Sequence, residues 1–155
     1  MENLKIYVDR LKGSPPCKIE AALPPDFLAI DDEELLFKDP VNVKGEAYLA
    51  DEHLIIHLSI ETAAYLPCSI CNDAVHTPIQ IKNIYLTEAL SEIKGAVYDL
   101  ADQIRETILL QTPLFTECSG GKCPERDFIK KFLKPEETPS DPADIPHFPF
   151  AGLDQ

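Results

Sequence analysis

Between Val41 and Glu61, apolar residues recur at every second position. Val41, Val43, Gly45, Ala47 and Leu49 alternate with polar neighbours, Asp51-Glu52 interrupts, and Leu54, Ile56, Leu58 and Ile60 resume the same period. Successive side chains of a strand point to opposite faces, so this pattern predicts a β-hairpin with one apolar face. Its second strand runs on through Ala63-Ala64-Tyr65-Leu66 toward Cys68. A third strand is expected from Thr77 to Leu86, with Pro78 tolerated at its entry. Ile79 and Ile81 alternate there, but the next apolar pair is Ile84 and Leu86, and the slip implies a bulge near Asn83. His57 falls on the face opposite Ile56 and Leu58; like His53 in the turn, it reads as a solvated histidine.

Residues 3–9 alternate well enough for a further strand. The stretch after it carries Pro15-Pro16 and Pro24-Pro25 and is expected to be extended or looped. The period changes over Asp99 to Thr112. Leu100, Ile104 and Ile108 recur every fourth residue, with Ala101 and Thr107 widening the stripe, which predicts a helix. Asp99 suits its N-cap, Asp102 adds negative charge to the first turn, and Pro113 forces its end. Asp127 to Lys134 suits two more helical turns with Phe128, Phe132 and Leu133 on one side. Beyond it, five prolines (135, 139, 142, 146 and 149) and scattered acids predict a disordered or extended tail. That tail closes on an apolar cluster, Phe148 to Leu153, suited to docking on its own core or to a partner.

These elements predict an α+β fold. A small antiparallel β-sheet carries one or two packed helices, and a CxxC knuckle lies in the connection between two strands. Residues 1–134 read as a single domain and residues 135–155 as a Pro-rich acidic tail. With 45% hydrophobic residues in 155, no tryptophan and one methionine, the core is built mostly of Leu, Ile, Val and Ala.

The net charge of −13 argues against bulk attraction to phosphate or to an anionic membrane. Its distribution is uneven. Residues 1–119 hold 9 Lys/Arg against 20 Asp/Glu, residues 120–134 hold 5 against 2, and residues 135–155 hold 0 against 5. The only basic stretch therefore comprises Lys122, Arg126, Lys130, Lys131 and Lys134, a small solvated face or a localised RNA contact. No basic n-region or apolar run of signal-peptide length occupies residues 1–30, and no segment reaches the ~20 apolar residues of a membrane span. The expectation is a cytoplasmic protein without a membrane partner.

That expectation bears on the cysteines. Cys68-Ser-Ile-Cys71 is a CxxC pair, and Cys118-Ser-Gly-Gly-Lys-Cys123 follows 46 intervening residues later. Two such pairs can supply four thiolates to a tetrahedral zinc, and Gly120-Gly121 permit the sharp turn needed to aim Cys118 and Cys123 at one centre. Free structural thiols and redox exchange are the other chemistries such pairs serve. Redox use ranks last because the residues after Cys71 read as a turn into a strand, not as the helix start that activates a thioredoxin-type thiol. No cation lies within five residues of Cys68 or Cys71. A reducing compartment disfavours disulfides and favours metal. His76 is a fifth candidate ligand, ranked below four thiolates that already fill the shell. Cys17 stands alone and reads as a small buried or half-buried apolar residue without a role.

The order of these parts resembles the YceD family, the large ribosomal RNA subunit accumulation proteins. The resemblance rests on the strand pair running into Leu66-Pro67-Cys68-Ser69-Ile70-Cys71, the strand Ile79 to Leu86, the stretch Tyr98 to Leu110 before Pro113, and Glu117-Cys118 through Cys123-Pro124. The closing Pro149-Phe150-Ala151-Gly152-Leu153 is similar to the Pro-Phe-Ala ending of some members. Family members often carry a tighter Cys-Lys-Gly-Leu-Cys-Pro-x-Cys-Gly run. This chain is one residue longer between its cysteines and has none after Pro124, which leaves four candidate ligands. The resemblance implies a non-enzymatic role in large-subunit ribosome biogenesis, supporting accumulation of 23S ribosomal RNA. Its expected partners are a large-subunit rRNA precursor or an assembly intermediate. The acidic charge suggests a different partner, a basic ribosomal protein held in a chaperone-like way.

Nothing in the motifs points to catalysis. There is no Gly-rich phosphate loop, no Gly-x-Ser-x-Gly and no His-Glu-x-x-His. Four thiolates would leave a zinc without the open position that a catalytic site keeps. The enzymatic alternative is a thiol oxidoreductase using Cys68 and Cys71.

Overall fold

The structure, a computed structural model, describes residues 2–132. The tail expected over 135–155, Leu133 and Lys134 lie outside the described residues. The chain divides into two compact units, Met1–Cys123 and Pro124–Gln155.

In the first unit, the predicted hairpin forms a ten-residue strand β4 (Val41–Ala50) against a fifteen-residue strand β5 (His53–Pro67). They pair antiparallel from Asn42↔Glu61 to Ala50↔His53, and Asp51 takes φ 52 in the two-residue turn between them. Strand β6 (Ala74–Ala89) covers the other edge of β5 along its whole length, from His53↔Ala89 to Pro67↔Ala74. The expected bulge is present. Leu58 pairs with Ile84 and Ile60 with Ile81, so Lys82 and Asn83 together oppose Ser59, and Asn83 adopts φ 59. The extra residue restores the apolar phase that would otherwise put Ile84 and Leu86 on the wrong face.

The N-terminal forty residues contain more order than their prolines suggested. Strand β2 (Cys17–Leu23) pairs with β4, and a two-residue strand β3 (Leu36–Phe37) lies against Tyr65 and Ala64 of β5. Residues 3–9 supply a short strand β1 (Lys5–Tyr7), after which Val8–Leu11 turns into a single helical turn, α1. Strand β1 pairs with β7 (Val97–Asp99), the run that enters the main helix.

That helix, α2, spans Ala101–Gln111. Asp99 closes its start by accepting the Ala101 N–H on Oδ1 at 2.9 Å, and Thr112 ends it just before Pro113. Leu100, Ile104 and Ile108 are fully buried, as their spacing required. They join one continuous core with Val41, Val43, Leu54, Ile56, Leu58 and Ile60 of the sheet and with Leu4, Ile6, Phe27 and Leu28 of the N-terminal segment. Arg105 ties the layers together: its Nε–H donates to the Phe27 carbonyl at 2.7 Å, and its guanidinium sits 4.6 Å above the Phe27 ring. The result is the expected α+β arrangement, a small antiparallel sheet with helices packed on it and the CxxC segment joining β5 to β6. No helix among the described residues is long and apolar enough to cross a membrane.

In the second unit, the described residues include a helix α4 (Arg126–Lys130), one turn shorter than the expected Asp127 to Lys134. Phe128 in it and Phe132, two residues past its end, are exposed.

Candidate metal centre

Strand β5 delivers Pro67-Cys68 to the end of the sheet, and a tight turn returns the chain into β6. The Cys68 N–H donates to the Asp73 carbonyl at 2.8 Å, and the Asn72 N–H donates to the Cys68 carbonyl at 3.0 Å. Asn72 takes φ 63, a left-handed position that asparagine tolerates better than most residues. This turn aims Cys68 and Cys71 to the same side.

The second pair arrives from α2. Thr116 forms a parallel bridge with Cys68, and its carbonyl accepts the Ser69 N–H at 2.8 Å. The four residues Cys118–Gly121 then make one turn, α3, in which Ser119 (φ 56) and Gly120 (φ 64) are left-handed, followed by Gly121 at φ 90. The two glycines do what the sequence required of them. Ser119 shares the left-handed conformation without a glycine's freedom, which the sequence did not signal.

These two connections bring Cys68, Cys71, Cys118 and Cys123 together, with all four sulfurs within 4.8 Å of one another. Cys71 Sγ lies 3.7 Å from Cys118 Sγ. A tetrahedral ion with metal–sulfur bonds of about 2.3 Å requires sulfur separations of about 3.8 Å, so the set can hold a metal ion with little adjustment. Cys68 and Cys123 are buried, while Cys71 and Cys118 are half-buried. The chemistry of the donor set is uniform: four soft sulfurs, with no carboxylate among them.

Backbone N–H groups favour the thiolate at Cys68. The Cys118 N–H donates to Cys68 Sγ at 3.4 Å. The N–H of Cys71 foremost, with those of Cys118 and Ile70, outweighs burial and holds the Cys68 thiol at about 6, far below its ordinary value. No cation is needed for this; the turn itself supplies the dipoles. Cys71 moves the opposite way. Against the lowering pull of the Asp73 N–H, burial and the adjoining thiols push it up to about 12. Cys118 is likewise raised, by its hydrogen bond with Cys123 and then by burial.

Glu117 is the functional neighbour that sequence reasoning missed. Its Oε1 accepts the Cys123 N–H at 2.8 Å, fixing the end of the second pair. Its position beside Cys118 was visible in the sequence; its role needed the turn.

Other candidates fall elsewhere. His76 Nε2 lies 2.8 Å from Asp39 Oδ2 and its ring packs edge-on to Tyr65, so its accounted partners are these and not the sulfurs. His57 stacks on Tyr85 with ring centroids 4.4 Å apart and faces Asn83 Oδ1 at 3.3 Å. Cys17 is exposed instead of buried: it keeps the phase of the buried Ile19, Ala21 and Leu23 but is the first residue of β2. Of the basic residues, Lys122 belongs to the first unit and is exposed. Arg126, Lys130 and Lys131 belong to the second unit and are also exposed. Lys130 pairs with Asp127 at 2.6 Å, and the Lys131 ammonium lies 5.0 Å from the Phe132 ring centre.

No protein-family model matches the chain, and neither a curated protein nor a solved structure matches it.

Proposed function

We propose that this chain is a non-enzymatic binding module stabilised by a structural tetrathiolate zinc centre, and that it serves large-subunit ribosome assembly. The observation that carries the metal reading is the convergence of Cys68, Cys71, Cys118 and Cys123 within 4.8 Å. Zinc bound there would cross-link two chain segments with 46 residues between them and fill the shell with sulfur. A filled shell leaves no position for water or substrate, which supports a structural role over a catalytic one. Burial of Cys68 supports it too, since a thiol that exchanges disulfides must be reached by its partner.

The assembly role rests on the resemblance to the YceD family, with a large-subunit rRNA precursor or assembly intermediate as partner. Lys122, Arg126, Lys130, Lys131 and Lys134 are the RNA-facing residues of this reading. A contact so small neutralises few phosphates, so binding should depend only shallowly on salt. The net charge of −13 favours a second reading, an acidic, chaperone-like holder of a basic ribosomal protein.

Protein purified without chelator should carry about one zinc per chain by elemental analysis; none, with all thiols reduced, removes the metal reading. Association with large-subunit intermediates is tested by capture from lysate with and without RNase. RNase-sensitive association, abolished when Lys130, Lys131 and Lys134 are replaced by glutamate in a folded protein, supports the RNA reading. RNase-resistant association that survives the triple replacement supports the protein-holding reading.

A further inference from the structure

The outward face of α2 changes character along its length. Asp102 and Glu106 are exposed in its first two turns, as expected for a solvated face. Then Leu109 is 42% exposed, Leu110 76%, Leu114 89% and Phe115 81%. Four large apolar side chains within seven residues thus stand in solvent. Isolated exposed leucines need no explanation, but apolar patches of roughly 300–600 Å² are the largest on a typical monomer and often mark interaction sites.

The segment is held at both ends. Thr112 closes the helix, its N–H and its Oγ1–H both donating to the Ile108 carbonyl, at 3.0 and 2.8 Å. On the far side Thr116 is bridged to Cys68. Leu114 and Phe115 therefore project from a short span anchored to a helix and to the cysteine cluster, and little further ordering is lost when a partner covers them.

Charge selects the partner. Arg105 is the only basic residue from 101 to 117, and it is committed to the Phe27 carbonyl, the Phe27 ring and Asp102, 2.8 Å away. What α2 offers a partner beside its leucines is Glu106, in a chain carrying −13. Nucleic acid presents phosphates that this charge repels, and a second copy would bring the same charge again. We propose that Leu109, Leu110, Leu114 and Phe115 form a docking surface for a basic amphipathic segment of a partner protein. Its apolar side covers the four side chains, and its lysines or arginines face the acids of α2. This inference is independent of the metal and rests on the reading of an acidic holder of a basic protein, for which it names the surface; a chain that fails the peptide test below can still carry its zinc.

The test uses the full chain with three probes: an amphipathic leucine–lysine peptide, the same peptide with glutamate for lysine, and a uridine oligomer. The lysine peptide should bind and the glutamate peptide should not. Leu114→Ser combined with Phe115→Ser should weaken the lysine peptide about tenfold or more, as loss of an apolar anchor does. Leu110→Ser, on the exposed helix face, is the second variant should the first fail to fold, with the same direction expected. Glu106→Lys should weaken the lysine peptide several-fold and flatten its salt dependence. Unchanged affinity in the folded serine variants, or equal binding of both peptides, overturns the proposal. So does uridine-oligomer binding that the serine variants abolish, which assigns the face to nucleic acid. A dimer in sedimentation that those variants dissociate overturns it in favour of a second copy.

Discussion

Gly45 sits opposite Leu58 in the β4–β5 ladder, and a Cβ there would collide with the His57 carbonyl oxygen and come within 2.8 Å of a Leu58 methyl. Backbone cannot yield as a side chain can, so Gly45→Ala should cost about 3 kcal/mol, the upper end for overpacking, read as a lower urea midpoint. The sequence placed Gly45 in the alternation but gave no sign of this close approach. Thr62 shows the opposite economy. Its hydroxyl is buried without a hydrogen-bond partner among the described residues, so Thr62→Val should stabilise by up to about 1 kcal/mol. Tyr98 supplies a pH test. Burial first, then the Glu88 carboxylate that accepts its O–H at 3.2 Å, pushes its hydroxyl up to about 12. A folded-state value above the ordinary one means the fold favours the neutral phenol. That contribution is intact below about pH 10 and is lost as pH rises toward 12. Absorbance at 295 nm should record one late-ionising tyrosine, absent in Tyr98→Phe.

At the scale of elements, apolar periods mark the strands and the helix wherever one period runs long enough. The hairpin, the α2 stripe and the bulge at Asn83 were all legible because each is a local phase relation between neighbouring residues. Ile104→Ala should cost about 2–5 kcal/mol, since the side chain is fully buried in the core. Leu110→Ala, on the exposed face of the same helix, should cost under about 0.5 kcal/mol, and a pair of thermal melts separates the two. At the bulge, Asn83→Val should cost about 1–2 kcal/mol, because a β-branched residue fits φ 59 poorly, whereas Asn83→Gly should be nearly neutral. Strand β2 falls where the prolines predict only extended or looped chain. Its alternation of Ile19, Ala21 and Leu23 is genuine but short, and two proline pairs bracket it closely enough to mask it. What makes it a strand is the ladder offered by β4, a partner eighteen or more residues further along the chain.

Across the whole molecule, the four cysteines join the end of the sheet to the segment leaving α2. A bound metal there stabilises the folded state alone, so stripping it with a strong chelator should lower the melting temperature, and returning zinc should restore it in a concentration-dependent way. Serine at Cys68, Cys71, Cys118 or Cys123 should each abolish that response. Cys17→Ser, at an exposed position on β2, should leave both the melt and the response unchanged. A zinc response that survives loss of any one of the four thiols would place the ion elsewhere.

By itself the sequence determined what local spacing can encode: the β-period of the hairpin, the helical stripe of α2, the CxxC turn, and the glycines that let Cys118 and Cys123 face one way. It also raised the expectation that the two pairs meet, but spacing alone carries no distance between segments separated by 46 residues. The tertiary structure decided that distance, through the Thr116–Cys68 bridge and the packing of α2 on the sheet. It likewise decided which groups lose water and gain donors. Cys68 is depressed, Cys71 is raised, His76 is turned to Asp39, and Leu114 and Phe115 are left in solvent. Burial and hydrogen bonding depend on every element that packs around a residue, whereas periodicity depends only on its neighbours in the chain.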